Sequence, residues 1–593
     1  MDIRKFFKLI PATCFLVAMV YWIYCCCHGF DMSDEGFLMT LYRDFSEGER
    51  NITSAGGYPL TCWIGGKLLS ILPDGLLVFR LAGVAIFMAM GVVVYVFLSK
   101  RFSGIVVSVG LLTLSFIFAC DPKPFGYNSL TAVFAVISVI FIVRGLVNDQ
   151  AVYLFFGGCI LGLNVFVRLP NLALVGLASL PFFALESFTH KAIFREIRRS
   201  ALILLGFFAG TAIGIVFLQM IGCWGIVVDF VQSIGELAGG DSSHGHLAML
   251  THIVHNYVNA GIVLLFFCAM VMLCALGLTM SPFALILIII GIEAIFLKDF
   301  VDADTFLGKD MLSLVNALAL VGAVRYFFCN VERRIVAGAS IILAVLMPLG
   351  SDLGFVTFWC GPILAYPIGL CGLLDSMSNV ILQIKYNRKG FCVRRQAWVV
   401  AITLCIMAFC VSVMVKGWRR AYYDPGSRHR KTCVIKSSRA AGIKTRSRYA
   451  RRINPLFSEL RWYVKTGDKV LAYDWSPMLY YLLGLRAYGG VAWPCVLYGE
   501  PYVRAIEEER SRNTELPVVV LQHYRAIDPR VSSCYYDESC AENESHRKMI
   551  STINAFVLQN HYRKVWSNEW YDIYLPPGRD RFETPCLDWW DKD

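Results

Sequence analysis

The chain has 593 residues, of which 57% are hydrophobic and only 17% charged, with a mean hydropathy of +0.57 and a formal net charge of +11. Average soluble domains are about a quarter charged and less than half apolar, so a single soluble core, a disordered chain and a collagen-like chain are all excluded. The apolar residues come in blocks of about 17–22, the length that crosses a hydrocarbon core of about 30 Å as a helix, which is the pattern of a polytopic membrane protein.

The first span, 9–24, follows Arg4, Lys5 and Lys8 and runs into Cys25, Cys26, Cys27 and Phe30. No small-residue cleavage site follows it, so it is predicted to stay in place as a membrane anchor. Directly after it comes Asp31-Met32-Ser33-Asp34-Glu35-Gly36. Carboxylates at the mouth of a span are costly to hold near hydrocarbon. Two readings stand: a general base or cation holder, or a solvated acidic loop that caps an amphipathic helix over 37–45.

Arg80 opens the second span, 76–98, and Arg168 ends the fifth, 152–168. An ionisable group at that depth is either functional or snorkelling to the interface. Two guanidiniums on one cavity would suit a phosphate. Spans 103–119 and 127–147 are joined by Asp121-Pro122-Lys123-Pro124-Phe125-Gly126-Tyr127-Asn128. Here Asp121 can assist a polar substrate, Lys123 can meet a phosphate as a point charge, and Tyr127 and Asn128 can hydrogen-bond. The same residues also read as a proline-rich turn with Asn128 as a helix cap.

Spans 171–186 and 201–221 follow, the latter carrying Gly206, Gly210 and Gly214, a spacing that packs helices closely. The stretch 222–256 has no Lys or Arg and holds His244, His246, His252 and His255 near Glu236 and Asp241. It reads as a flexible polar loop over a cleft, with only a weak metal signal in the His252/His255 pair. Spans 258–278, 281–297, 311–329, 334–349, 359–375 and 397–415 bring the expected total to thirteen. Neither a Walker A motif nor a dinucleotide-binding glycine fingerprint occurs, which disfavours nucleotide hydrolysis.

Basic residues mark one side of this layout. Lys100/Arg101, Arg144, the group Lys191, Arg195, Arg198 and Arg199, then Arg333/Arg334 and the run from Lys385 to Arg395 fall in alternate loops, predicted to be cytoplasmic. An odd number of spans then puts everything beyond about Lys416 outside. That segment opens with a collar, Lys416 to Arg452, of thirteen Lys/Arg against the single acid Asp424. Its balance of +12 leaves −1 for the rest of the chain, so the net charge speaks for anionic lipid or phosphate and not for nucleic acid. Long translocated domains escape the charge rule, and a miscounted span within 281–310 is the competing explanation.

Beyond the collar, 469–473 and 516–521 read as buried strands, 477–483 and 545–559 as helices, and 570–575 as a closing strand. This is a small α/β layer structure. The expected organisation is a transmembrane domain over 1–416 and a C-terminal α/β domain over 417–593. Cys534 and Cys540 can bridge in an oxidising compartment or remain free thiols. The terminal Asp588-Trp589-Trp590-Asp591 lacks the Tyr and Gly of the oligosaccharyltransferase motif and is read as coincidence.

Asp34-Glu35 after span one, Arg80, the Asp121 loop, Arg168, about thirteen spans and an outer α/β tail together resemble the GT-C class of glycosyltransferases. The likeness lies within the aminoarabinose-transferase and protein-mannosyltransferase branch. The segments Gly467-Asp468-Lys469-Val470 and Asp474-Trp475-Ser476-Pro477 also look like the outer domain of its bacterial members. The resemblance implies an inverting transferase of the bacterial inner membrane with a polyprenyl-phosphate sugar donor and a hydroxyl acceptor on a glycan, lipid or protein. It implies Asp34 as the catalytic base and Glu35 as an orienting group. It also implies Arg80, Lys123 and Arg168 as stabilisers of the departing phosphate. No metal ligand set carries over, so no cofactor is expected, although a divalent cation is chemically compatible. A lipid-linked-sugar flippase or transporter and a non-catalytic assembly subunit are the alternatives; the large outer domain argues against the former.

Overall fold

The computed structural model describes residues 3–49, 53–119, 125–239, 246–280, 309–351, 354–356, 360–377, 382–386, 389–393, 395–422, 424, 426–512, 515–522 and 543–585. The predicted span 281–297 lies outside these residues, as do Asp121, Lys123, Asp241, His244, Cys534, Cys540 and the terminal Trp pair.

The chain begins with α1 (Ile3–Cys26), α2 (Asp34–Ser46) and α3 (Pro59–Ile71). The apolar series α4 (Leu76–Ser99), α5 (Gly104–Phe118), α6 (Tyr127–Val147) and α7 (Ala151–Val167) follows. After a 3-10 segment, Leu169–Ala184, come α8 (His190–Met220), α9 (Trp224–Gly239) and α10 (His246–Met280). Then come α11 (Lys309–Val324), α12 (Val331–Leu346), α13 (Ala365–Met377) and α14 (Arg395–Arg419). Twelve of the thirteen predicted spans fall on a helical segment, and among the described residues seven helices are long and apolar enough to cross a membrane. The molecule is thus a polytopic helical protein with a C-terminal α/β region.

The sixth predicted span is a 16-residue 3-10 helix with prolines at 170 and 181. Proline withholds a backbone donor, and at about 2.0 Å per residue the tighter helix still extends about 32 Å, a bilayer core's depth.

Helices α7 and α8 meet through glycines, as the 206/210/214 spacing predicts. A Cβ at Gly206 would lie 2.0 Å from the Phe155 carbonyl oxygen, and one at Gly210 2.1 Å from that of Cys159. Gly158 and Gly162 answer from the other side, against Ile203 and Phe207. Apolar helices in lipid gain little from hydrophobic contrast, so close backbone approach holds them together.

Most of the described residues of 222–256, read above as a flexible loop, are helical. Trp224–Gly239 is helical, and helix resumes at His246. Cys223, Ile226 and Val227 are buried in the same apolar cluster as α2, and Phe230 closes on Gly56 and Gly57. An apolar residue every three or four positions outweighs the polar look of the segment.

The C-terminal region adds a hairpin, β3 (Cys433–Val434) with β4 (Lys444–Thr445), then α15 (Ser447–Leu460), β5 (Lys469–Tyr473), α16 (Met478–Leu483), β6 (Arg486–Ala487), α17 (Glu500–Arg512) and β7 (Val518–Gln522). It closes with α18 (Glu544–Gln559), β8 (Arg563–Ser567) and β9 (Tyr571–Leu575). The five-stranded sheet has the order β6-β5-β7-β9-β8. Strand β5 is parallel to β6 and β7, whereas β9 is antiparallel to β7 and β8. Every residue of β7 is buried, as a strand covered on both faces requires. Five of these elements, β5, α16, β7, α18 and β9, match the sequence expectations to within two residues; the hairpin, α15, β6, α17 and β8 were not predicted. (The hairpin preceding α14 pairs Leu382 with Val393.)

Helix α2 joins the two regions. Leu38, Leu41 and Tyr42 share one apolar cluster with Tyr480, Leu483 and Val518, and all residues from Glu35 to Phe45 are buried. A Cβ added at Gly36 would lie 2.3 Å from the Met478 backbone nitrogen. Only glycine admits that approach.

Candidate active site

The site is built on the turn between α1 and α2. Gly29 leaves α1 with φ +105°, a left-handed conformation that favours glycine, and a Cβ there would strike Ala421 at 2.5 Å. Asp31 then closes the turn, accepting from the Ser33 backbone N–H (2.8 Å), the Ser33 hydroxyl (2.7 Å) and the Glu35 N–H (2.9 Å). Burial, and after it the charge of Asp34, pushes the Asp31 carboxyl up to about 8.

Asp34 and Glu35 are neighbours with opposite situations. Glu35 is 1% exposed and holds a two-pronged pair with Arg80, Nε to Oε1 and Nη2 to Oε2, both 2.6 Å. Arg80 also donates to the carbonyls of Cys26 (2.6 Å) and Gly29 (2.9 Å). The guanidinium therefore ties the end of α1, the glycine turn and the start of α2 into one unit. It is 2% exposed.

Asp34 keeps an exposed edge and accepts a hydrogen bond from the hydroxyl of Tyr422, a residue of the collar three positions beyond α14. Tyr58 caps the entry to α3 and stacks on Tyr127, with ring centroids 4.3 Å apart and planes 16° apart. Its hydroxyl is pushed well above the usual phenol range by burial first; Tyr127, the positive Arg168 and the negative Asp34 act on it next. Tyr58 is thus within electrostatic reach of Asp34, Tyr127 and Arg168. Arg168 is held by the Met347 carbonyl (3.1 Å) and the Ser351 hydroxyl (2.8 Å).

The two arginines have separate partners: Arg80 pairs with Glu35, and Arg168, which follows the end of α7, donates to Met347 and Ser351. The turn into α6 is capped by Ser129, which exchanges hydrogen bonds with Gly126, and not by Asn128. Asn128 Oδ1 is buried without a partner among the described residues. His252 and His255 lie on α10, and among the described residues no three His, Cys, Asp or Glu side chains group as a metal site. Tyr58 and Tyr422 escaped the sequence reading. Each lies at an element boundary beside a proline or an acid, and their only cue was proximity to helix ends.

The C-terminal region holds this loop from above. Met478 N–H donates to the Met32 carbonyl (2.9 Å), and the Thr40 hydroxyl to that of Pro477 (2.9 Å). Buried Arg43 donates to Tyr480, Leu485 and Asp44. The collar contributes a buried hub. Asp424 accepts from Lys431 Nζ (2.8 Å), Thr445 Oγ1 (2.7 Å) and the Phe30 N–H (3.2 Å). Burial lowers the Lys431 ammonium to about 8 against the opposing pull of Asp424. Arg428 donates to the carbonyls of Gly417, Cys25, His28 and Ala119.

No family model and no curated relative matches the chain. Solved structures do. ArnT from Cupriavidus metallidurans in the apo state aligns over 97% of this chain and 98% of its own, at 11% identity and a TM-score of 0.49. The Archaeoglobus fulgidus oligosaccharyltransferase tethered to an acceptor peptide covers 96% and 74%, at 11% and 0.48. The same enzyme with zinc and sulfate covers 86% and 68%, at 11% and 0.44.

Proposed function

We propose that this protein is a membrane glycosyltransferase that moves a sugar from a polyprenyl-phosphate donor to a hydroxyl of a glycan, lipid or protein acceptor. The observation that supports this is the placement of Asp34, partly exposed, hydrogen-bonded to Tyr422 and within electrostatic reach of Tyr58, which Arg168 and Tyr127 also reach. In this reading Asp34 removes the acceptor's hydroxyl proton, the oxygen attacks the anomeric carbon with inversion, and the polyprenyl phosphate leaves with the bonding electrons. Arg168, with Lys123, steadies the leaving phosphate, and Asp121, Tyr127 and Asn128 contact the substrates. Glu35 and Arg80 are positioning residues that fix the loop. The step asks for no cofactor. The 1–416 region would lie in a bacterial inner membrane, with 417–593 on its extracytoplasmic side.

The test is transfer by the purified protein in detergent with a synthetic polyprenyl-phosphate sugar and an acceptor panel. Loss of a positioned general base costs about 10²–10⁴ in rate, so Asp34→Asn should fall by that amount while remaining folded. Equal product from the variant would remove Asp34 from the chemistry. Sugar-lipid movement across vesicles, with no product from any donor, would assign a flippase.

A further inference from the structure

The collar divides into residues that hold the fold together and residues that do not. Arg428 and Lys431 are buried and bonded, Arg439 pairs with Asp74 at 2.7 Å, and Arg452 pairs with Glu569. Arg419, Arg430 and Lys444 are exposed, and among the described residues none lies within ion-pair distance of a carboxylate.

Their level relative to the membrane is fixed by backbone contacts. Arg419 ends α14, and Arg430 ends the 3-10 turn anchored by Arg428 to Cys25, His28 and Gly417. Lys444 pairs its backbone with the end of α1: its N–H donates to Cys27, and its carbonyl accepts from Gly29, both at 2.8 Å. All three cations therefore sit at the last turn of α1 and α14. At that turn Tyr24 and Trp418 stack, with ring centroids 4.5 Å apart and planes 9° apart, and Trp418 is 43% exposed. Exposed aromatic rings at helix ends sit at the headgroup level of a bilayer. The local field is positive: His28, between these groups, has its imidazole lowered by burial and then by Arg428, Lys444 and Lys431.

We propose that Arg419, Arg430 and Lys444 form a docking rim for the phosphate headgroup of an anionic bilayer phospholipid. The rim adjoins the candidate site, because Tyr422, three residues beyond Arg419, reaches Asp34. It rests on the membrane placement of α1 and α14 and not on the transferase reading. Three basic side chains at an anionic surface strengthen binding by about two orders of magnitude.

The experiment counts lipid retained by the purified protein, by native mass spectrometry, during titration with phosphatidylglycerol or phosphatidylcholine. The full-length protein should prefer phosphatidylglycerol. The Arg419→Gln/Arg430→Gln/Lys444→Gln variant should lose about 100-fold of that affinity with an unchanged melting temperature, while Arg512→Gln, on α17, should lose none. If the triple variant unfolds, Lys444→Gln alone decides, with an expected loss of about fivefold. Equal retention by wild type and variant, or no preference for the anionic lipid, overturns the rim. Displacement of phosphatidylglycerol by polyprenyl phosphate at comparable concentration overturns the bilayer lipid as occupant and assigns the rim to the donor.

Discussion

The helical body and the junction around α2 are held by different means. Between α7 and α8 the contact is backbone against backbone, with glycines at 158, 162, 206 and 210 and no charge involved. The junction adds ionic and directional fastenings to its apolar cluster: Arg80 on Glu35, Arg43 on two carbonyls, Lys431 on Asp424, Arg428 on four carbonyls. Two apolar helices in lipid need only shape to associate. A loop that must present one carboxylate in one orientation needs specific partners, even though burying them costs desolvation.

The contrast can be broken most severely at Arg80. Arg80→Met strands a buried Glu35, and removal of one partner of a buried pair costs about 3–5 kcal/mol. Thermal unfolding in detergent should show this, with Glu35→Gln/Arg80→Met less damaging than Arg80→Met alone. If the double change is as harmful as both losses added, the pair is not the fastening. In the body, Gly210→Leu forces a side chain against the Cys159 carbonyl and should cost about 1–3 kcal/mol. That loss should be insensitive to salt and pH.

A smaller effect is expected at Tyr422, whose hydroxyl orients Asp34. Tyr422→Phe should lower kcat about tenfold with KM nearly unchanged, on the order of one hydrogen bond to a charged group. A change in KM alone would mean that the ring only packs. A pH slope is expected from Asp31. Its folded carboxyl titrates near 8, above the ordinary value of 3.8. The stability it contributes is complete below about pH 4 and is lost as pH rises toward about 8. The melting temperature should drift down across that window, and Asp31→Asn should flatten the drift.

Much of the body was legible because its signals are local. The apolar lengths placed twelve helical segments, the glycine spacing marked α8 as closely packed without naming α7 as its partner, and 469–473 announced its strand. Asp34, Glu35 and Arg80 were found as candidates from their depth alone. The sequence did not tell which carboxylate would be paired, since the partner of Glu35 lies 45 positions away. The collar misled in the same manner: thirteen cations looked like one surface belt, yet Arg428 and Lys431 are internal. Their partners are a carboxylate and carbonyls, and the carbonyls of Cys25 and Ala119 lie hundreds of residues away. The stretch 222–256 was misread because its polar residues masked a buried helical stripe.

The contact between Thr40 and Pro477 spans 437 residues of chain. At about 5–20 residues per second of synthesis, roughly 20–90 s separate the emergence of its two halves. During that interval α2 lacks its C-terminal cover, Arg43 lacks its carbonyl acceptors, and Asp34 waits for Tyr422. The nascent protein therefore passes through the membrane with its acidic loop unassembled, and its competence arrives with the final third of translation.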